Sequence, residues 1–411
     1  MKLLHVTPHL GGGVGKAHAA LSAALPKEAV DQTFLLLEEP RDRRYADLIE
    51  ARGVSVITAD SYDHVRRLAS EADIVQFEFW NHPRLLECLA RTEFPAMRSV
   101  FWSHISGLSK PLIQPGLMEE AGRFVFTSEA SRSLPAISQL SEAARKKITV
   151  INSGFGFPDG MRRVHSKKEK PVIAYLGTVD FVKMHSAFFD IIDDLVGDDI
   201  RALVWGPVEP SGPVSARARA MRHPERIKFC GETADPAVAL SEADIFFYPL
   251  RSDHYGTAEN ALIEAMSLGL TPVVMNNPAE MVIVRDCETG FVARSTQECV
   301  SLLQMLLLLP DVRDKIGRNA ICYVAETRTP AQSALDFMIL WLGLLNEPAK
   351  HCNFRGIIGE NPAEWFLAMQ CTPGTVWKPP PRKARQTPSK GTLAHFEKVF
   401  AGDSSLAGLR R

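Results

Sequence analysis

The chain has 411 residues, 45% apolar and 23% charged, with 47 Lys and Arg against 48 Asp and Glu and a net charge of −1. At roughly 150 residues per domain, that length predicts two domains and a tail, and the composition is that of an ordinary soluble globular protein. The balanced charge excludes recruitment of nucleic acid or membrane by a whole-chain field.

Seven scattered cysteines without a CxxC pair predict reduced cytosolic thiols rather than a disulfide framework or a zinc site. The N-terminus shows no apolar h-region with a small-residue cleavage site, so no secretory signal is read. The apolar runs 302–309 and 337–345 fall short of the ~20 residues of a spanning helix.

Residues 3–7 form an apolar run that leads into His9-Leu10-Gly11-Gly12-Gly13-Val14-Gly15. Ala17, Ala20, Leu21, Ala24 and Leu25 then keep helical spacing until Pro26. The pattern predicts strand, glycine loop, helix, with the amides of Gly12 and Gly13 accessible to a ligand because glycine offers no Cβ. A P-loop would need Gly at Leu10 and Ser or Thr at Ala17, and a dinucleotide fingerprint would need Gly at Lys16. Further strands are predicted at 33–37, 54–58, 73–80, 100–103, 124–127 and 148–152, with helices between them. Near-continuous apolar strands alternating with helices predict a parallel, doubly wound sheet. Ligands of such sheets sit beyond the carboxyl ends of the strands. There the chain places Glu78 with Trp80 and His82, Ser103 with His104, and Ser128 with Glu129. Capping or loop packing competes with function for Glu78 and His82.

The polar, aperiodic stretch 159–170 reads as an interdomain linker. The pattern then restarts, with strands at 171–176, 202–205, 227–230, 244–248 and 273–275. After the first of these, Gly177-Thr178 opens a loop carrying Lys183, read as an exposed cation whose loss spares stability. In Y-G-T-A-E-N-A-L-I-E-A-M-S-L-G, Thr257 is the expected N-cap. Ala258, Ala261, Leu262, Ala265 and Met266 form one apolar helical face, and Gly269 falls at the left-handed C′ position. Asn260 and Glu264 project together off that face, and the helix N-terminus offers positive potential to an anion. A strongly apolar helix is read at 335–345. The Pro-rich basic stretch 378–390 is extended or disordered by composition. Its readings are a solvated tail, a clamp, or peripheral contact with anionic lipid at the inner face of a membrane. No paired-acid or histidine cluster has metal-ligand spacing, so no metal is expected. The expected divisions are 1–165, 166–345 and an extension 346–411.

The run I-E-A-M-S-L-G-L-T-P-V-V from Ile263 resembles the nucleotide-sugar signature of the retaining glycosyltransferases of family 4, also called group 1. So do the strand order around it and N-P-A-E-M-V after it. The resemblance covers about residues 1–345 and is most specific from Gly177 to Val292. It implies the GT-B fold, two Rossmann-like domains facing across a cleft. It also implies hexosyl transfer from a nucleoside diphosphate sugar, of UDP or GDP, to a glycan or lipid-linked hydroxyl acceptor, with retention and no metal. By the same resemblance Glu264 binds ribose hydroxyls. The amides near Gly256, Thr257 and Ala258, with Gly177, Thr178 and Lys183, meet the diphosphate. Gly12 and Gly13 join the donor site from a loop the family carries at its acceptor mouth. His104 and Glu280 face the donor sugar. Glu78, Trp80 and His82 mark the acceptor side.

Two departures stand out. Gly256 occupies the place of the family's first Glu, with Asp253 and Glu259 as nearby substitutes, and Thr178 occupies that of its Arg. Two rival readings stay open: a nucleotide-sugar epimerase, which would need acid/base carboxylates, and a GT-B protein that binds nucleotide sugar or a partner without catalysis.

Overall fold

The computed structural model describes residues 1–40, 42–154, 170–372, 375–378 and 391–410. The expected linker and the basic Pro-rich stretch therefore lie almost entirely outside the described residues. The chain divides into two compact units. Unit 1 is Met1–Gly154, Tyr255–Ala258 and Pro330–Arg411; unit 2 is Phe155–His254 and Glu259–Thr329.

Unit 1 is built on strands β1 (Lys2–Thr7), β2 (Asp31–Leu36), β3 (Ser55–Thr58), β4 (Ile74–Phe79), β5 (Ser99–Ser103), β6 (Arg123–Phe126) and β7 (Ile148–Val150). They pair in the order β3-β2-β1-β4-β5-β6-β7, and every pairing is parallel. All residues of β4 and β5 are buried. A central parallel strand is covered on both faces, which is why these segments read as continuous apolar runs. Unit 2 holds β8 (Val172–Leu176), β9 (Arg201–Trp205), β10 (Ile227–Gly231), β11 (Ile245–Tyr248), β12 (Thr271–Met275) and β13 (Phe291–Ala293). Their order is β10-β9-β8-β11-β12-β13, again parallel throughout. Each predicted strand is present, shifted by at most two residues at either end, and β13 adds one that was not predicted. Both sheets reverse their order beside the first strand, so each unit has a crevice at the carboxyl ends of its central strands.

The helix Pro330–Leu345, which the sequence boundaries placed within 166–345, clusters with unit 1. Its Trp341 is fully buried and donates Nε1–H to Gln76 Oε1 at 3.0 Å on β4, and Phe337 meets Trp102 edge-on. The chain beyond it is more than a solvated tail. Helices Phe354–Ile358, Pro362–Ala368 and Leu393–Val399 bury Phe354, Trp365, Phe366 and Phe396 in the unit 1 core. Composition around residue 380 gave no sign of this, because the aromatic anchors are spread over more than forty residues.

Candidate functional site

In unit 2 the carboxyl ends of β8 and β9 approach closely. Gly177 has φ 149° and donates its amide to Trp205 O at 3.0 Å. A Cβ on Gly206 (φ 139°) would lie 2.0 Å from the Gly177 carbonyl oxygen, so the two loops meet only because position 206 is glycine. Thr178, at the family's arginine position, is exposed, and its carbonyl accepts from the Tyr175 hydroxyl at 2.8 Å.

The turn that follows carries Lys183, anchored by Lys183 N–H to Asp180 O and by Arg251 N–H to Lys183 O. Lys183 is not the exposed surface cation expected. Its ammonium donates to Glu259 Oε2 at 2.9 Å and lies 5.6 Å above the Tyr248 ring, with the side chain 15% exposed. The Tyr248 hydroxyl donates to the same oxygen at 2.8 Å. Burial pushes the Glu259 carboxyl up, but the charges of Lys183 and His254 and the bonds it accepts outweigh this, so it lies below the usual range. Burial, followed by the Glu259 charge, pushes the Tyr248 phenol well above its ordinary value.

The signature helix begins later than predicted. It spans Asn260–Ser267, and Glu259 stands at its N-cap in the left-handed region (φ 39°, ψ 53°) with no side-chain cap. Thr257 is therefore not the cap. Tyr255–Ala258 clusters with unit 1, where Thr127 Oγ1 donates to Thr257 Oγ1 at 3.1 Å. The contacts of Glu259 with Lys183 and Tyr248 hold its strained backbone in place. The C-terminus is as predicted: Gly269 has φ 80°, and the Gly269 and Leu270 amides donate to Met266 O and Ala265 O.

Glu264 is only 4% exposed, so it is not a solvated helix residue. Of the two substitute acids, Asp253 is paired with exposed Arg251 at 2.7 Å, whereas Glu259 is buried against Lys183. His254 joins the group, its Nε2 3.0 Å from Glu280 Oε1 and its Nδ1 3.7 Å from Glu259 Oε1. Burial pushes this imidazole down, but the bond to Glu280 and the charge of Glu259 outweigh it, so it is held above its ordinary value. Glu280, 0% exposed, is raised by burial and by the Glu259 charge. Sequence reasoning missed Tyr248 and His254. Neither stands at a telling spacing from Lys183, and only the fold brings them together.

In unit 1 the β4 and β5 ends gather a second cluster. Glu78 is 0% exposed, so the carboxylate expected on the acceptor side is sealed inside the unit. Its Oε1 lies 3.2 Å from His5 Nδ1 and accepts from Gln76 Nε2 at 3.0 Å; its Oε2 lies 2.9 Å from both His18 Nε2 and His104 Nε2. His104 alone of the three histidines keeps side-chain exposure, 8%. Burial raises the Glu78 carboxyl, but the charge of His18 and the bonds from the imidazoles outweigh it and hold it well below the usual range.

Trp80 and His82 are also buried. His82 caps the helix Pro83–Arg91, its Nδ1 accepting from Arg84 N–H at 3.2 Å. Gly12 and Gly13 do not form a loop: they are the exposed first turn of the helix Gly12–Ala24, capped by Gly11. Gly15 is where glycine is required, since a Cβ there would lie 1.8 Å from Leu10 O.

Spacing along the chain showed no metal-ligand cluster, yet the fold assembles three groups able to hold a cation. These are His5, His18 and Glu78; His9, Glu38 and His82; and His254, Glu259 and Glu280. The three are those found among the described residues, and each joins residues from separate strands and loops, so no local motif announces it.

Residues 159–322 match the model of the family described as glycosyl transferases group 1. No curated protein matches the sequence. Solved structures similar to the chain include a glycosyltransferase from Rickettsia africae, 13% identical, covering 84% of this chain and 99% of that one at a TM-score of 0.67. HepE of Anabaena in complex with UDP and glucose is 15% identical, with 84% and 100% covered and a TM-score of 0.66. Sucrose-phosphate synthase from Thermosynechococcus elongatus is 14% identical, with 84% and 99% covered at 0.63. At these identities the likeness shows the fold, which is the two-domain α/β fold called GT-B. No helix among the described residues is long and apolar enough to cross a membrane.

Proposed function

We propose that this protein transfers a sugar from a nucleoside diphosphate sugar to a hydroxyl acceptor, with retention at the anomeric carbon and no metal at the departing diphosphate. The observation that carries the reading is the buried Lys183–Glu259–Tyr248 group beside the Glu264 helix, inside the segment that matches the glycosyltransferase family. The difficult step is stabilising the diphosphate as it leaves. A preorganised ammonium, with the N-terminus of the helix Asn260–Ser267, supplies positive potential where that charge develops. The desolvated carboxylate of Glu264 suits a ribose hydroxyl pair. HepE is described in complex with UDP and with UDP-glucose, which supports a uridine donor. The family resemblance adds His104 at the sugar.

The paired buried acids Glu259 and Glu280, bridged by His254, favour one second reading, a nucleotide-sugar epimerase, since such a reaction needs carboxylates for proton transfer. One assay separates the two. The protein is incubated with UDP-glucose or GDP-mannose and a glycan acceptor, with and without brief EDTA treatment. Transfer predicts nucleoside diphosphate release that depends on acceptor and survives EDTA. An intact nucleotide sugar with inverted stereochemistry supports the epimerase. Loss on chelation, restored by manganese, removes the metal-free mechanism.

A further inference from the structure

Two of the three clusters keep buried ligand atoms without hydrogen bonds: Glu259 Oε1 and Glu280 Oε1 in one, imidazole nitrogens of His5 and His18 in the other. In the group of His9, Glu38 and His82, both imidazoles accept a backbone amide at Nδ1, from Gly11 and Arg84. Each therefore carries its proton on Nε2, the atom facing Glu38, and offers no lone pair there. In the group of His254, both ring nitrogens face a carboxylate, as in an imidazolium bound at each side.

The group of His5, His18 and Glu78 differs. All three are 0% exposed. His18 makes no well-aligned hydrogen bond through either ring nitrogen, although its Nε2 lies 2.9 Å from Glu78 Oε2, and neither does His5 through Nε2, although the Gln32 side chain approaches that imidazole. A buried imidazole left without hydrogen bonds carries the desolvation cost of each unsatisfied group. The close, misaligned approach of His18 to the carboxylate is what a shared cation produces, because the nitrogen lone pair then points at the ion and not at the oxygen.

We propose that His5, His18 and Glu78 bind a buried divalent ion of the zinc class, with His104 Nε2 as the fourth ligand at the cluster. The donor set, imidazole nitrogens with one carboxylate, is the set that zinc prefers. A tetrahedron of ~2.0–2.1 Å bonds has edges of about 3.3 Å. Glu78 Oε2 lies 2.9 Å from both His18 Nε2 and His104 Nε2, a few tenths of an ångström inside that edge, and His5 Nδ1 lies 3.2 Å from the second oxygen, Oε1. The ligands come from β1, the helix Gly12–Ala24, β4 and the end of β5, so the ion ties the first half of the unit 1 sheet to its first helix. Its charge also offsets a carboxylate that would otherwise be costly to bury.

The proposal shares only His104 with the transfer reading, and its test uses no substrate. The full chain is produced in zinc-supplemented medium and its metal content measured by plasma mass spectrometry. Cobalt-grown protein is examined for the visible absorption of four-coordinate cobalt(II). Expected are about one zinc per chain, the cobalt bands, and a loss of both in His18→Phe by at least about tenfold, the loss typical even of an outer-shell partner. Glu38→Gln, which dismantles the partly buried group of His9, Glu38 and His82, leaves the metal content unchanged. Circular dichroism shows whether His18→Phe folds; if it does not, the wild-type measurements decide alone. Wild-type protein without zinc and without cobalt bands, or a folded His18→Phe variant with full zinc content, overturns the site and leaves a hydrogen-bonded histidine cluster.

Discussion

Lys183 is the residue at which sequence and fold say the most different things. Alone in its turn it reads as a surface cation. In the fold it neutralises Glu259, which is 0% exposed and 76 positions away. Removing it leaves a buried carboxylate without its cation, so Lys183→Ala is expected to destabilise unit 2. The loss should fall near the lower end of the ~3–5 kcal/mol typical of a broken buried pair, because the lysine keeps some solvent contact. Lys183→Ala combined with Glu259→Gln should recover most of the melting temperature but not turnover. Denaturation curves and rates of the single and double variants check this, and a stable single variant would return Lys183 to the surface.

His254 makes a second residue-scale prediction. Its folded pKa is raised, so its contribution to stability is complete below the ordinary value of 6.5 and disappears as pH rises through the elevated one. Glu280, also raised, acts in the same direction. Melting temperature should therefore fall as pH increases above 6.5, and His254→Gln should flatten that slope. Equal slopes in the two proteins would show that His254 carries no such charge. Neither His254 nor its acids could be paired from the sequence. Ion pairs between loops depend on which strand ends lie side by side, and only the fold settles that.

Elements were far more legible than pairs. Central parallel strands such as β4 and β11 are buried on both faces, and that burial is written directly as apolar runs. Helix ends were read correctly where a backbone requirement fixes them, as at Gly269, and wrongly where a tertiary contact does, as at Glu259. The helix Pro330–Leu345 fell within the expected division 166–345 but clusters with unit 1, because an apolar stripe announces burial but not the surface that it covers. Phe396 is fully buried, and Leu406 is 2% exposed. Phe396→Ala should cost about 3–5 kcal/mol, and a chain ending before residue 391 should lose cooperative unfolding in unit 1. Calorimetry of both proteins checks this. A truncated chain that melts like the intact one would make the extension a passive tail after all.

For the whole molecule, two α/β units were legible from two successive patterns of apolar strands and helices and the GT-B fold from the resemblance, whereas the switch point beside the first strand of each sheet came only with the structure. Activity was less so, because Thr178 and Gly256 stand where the family that the sequence resembles has its arginine and first glutamate. The chain retains Lys183, Glu264 and a buried acid at Glu259 in their neighbourhood. The central claim is that unit 2 binds a nucleoside diphosphate sugar through Glu264, and it is tested most directly by thermal shift with UDP-, GDP-, ADP- and CMP-sugars on wild type and Glu264→Ala. One diphosphate sugar class should raise the wild-type melting temperature, by the equivalent of ~2.7 kcal/mol at about 100 times its Kd. The variant should bind that ligand ~1.5–3 kcal/mol more weakly. No shift with any nucleotide sugar, or an equal shift in both proteins, would contradict the account.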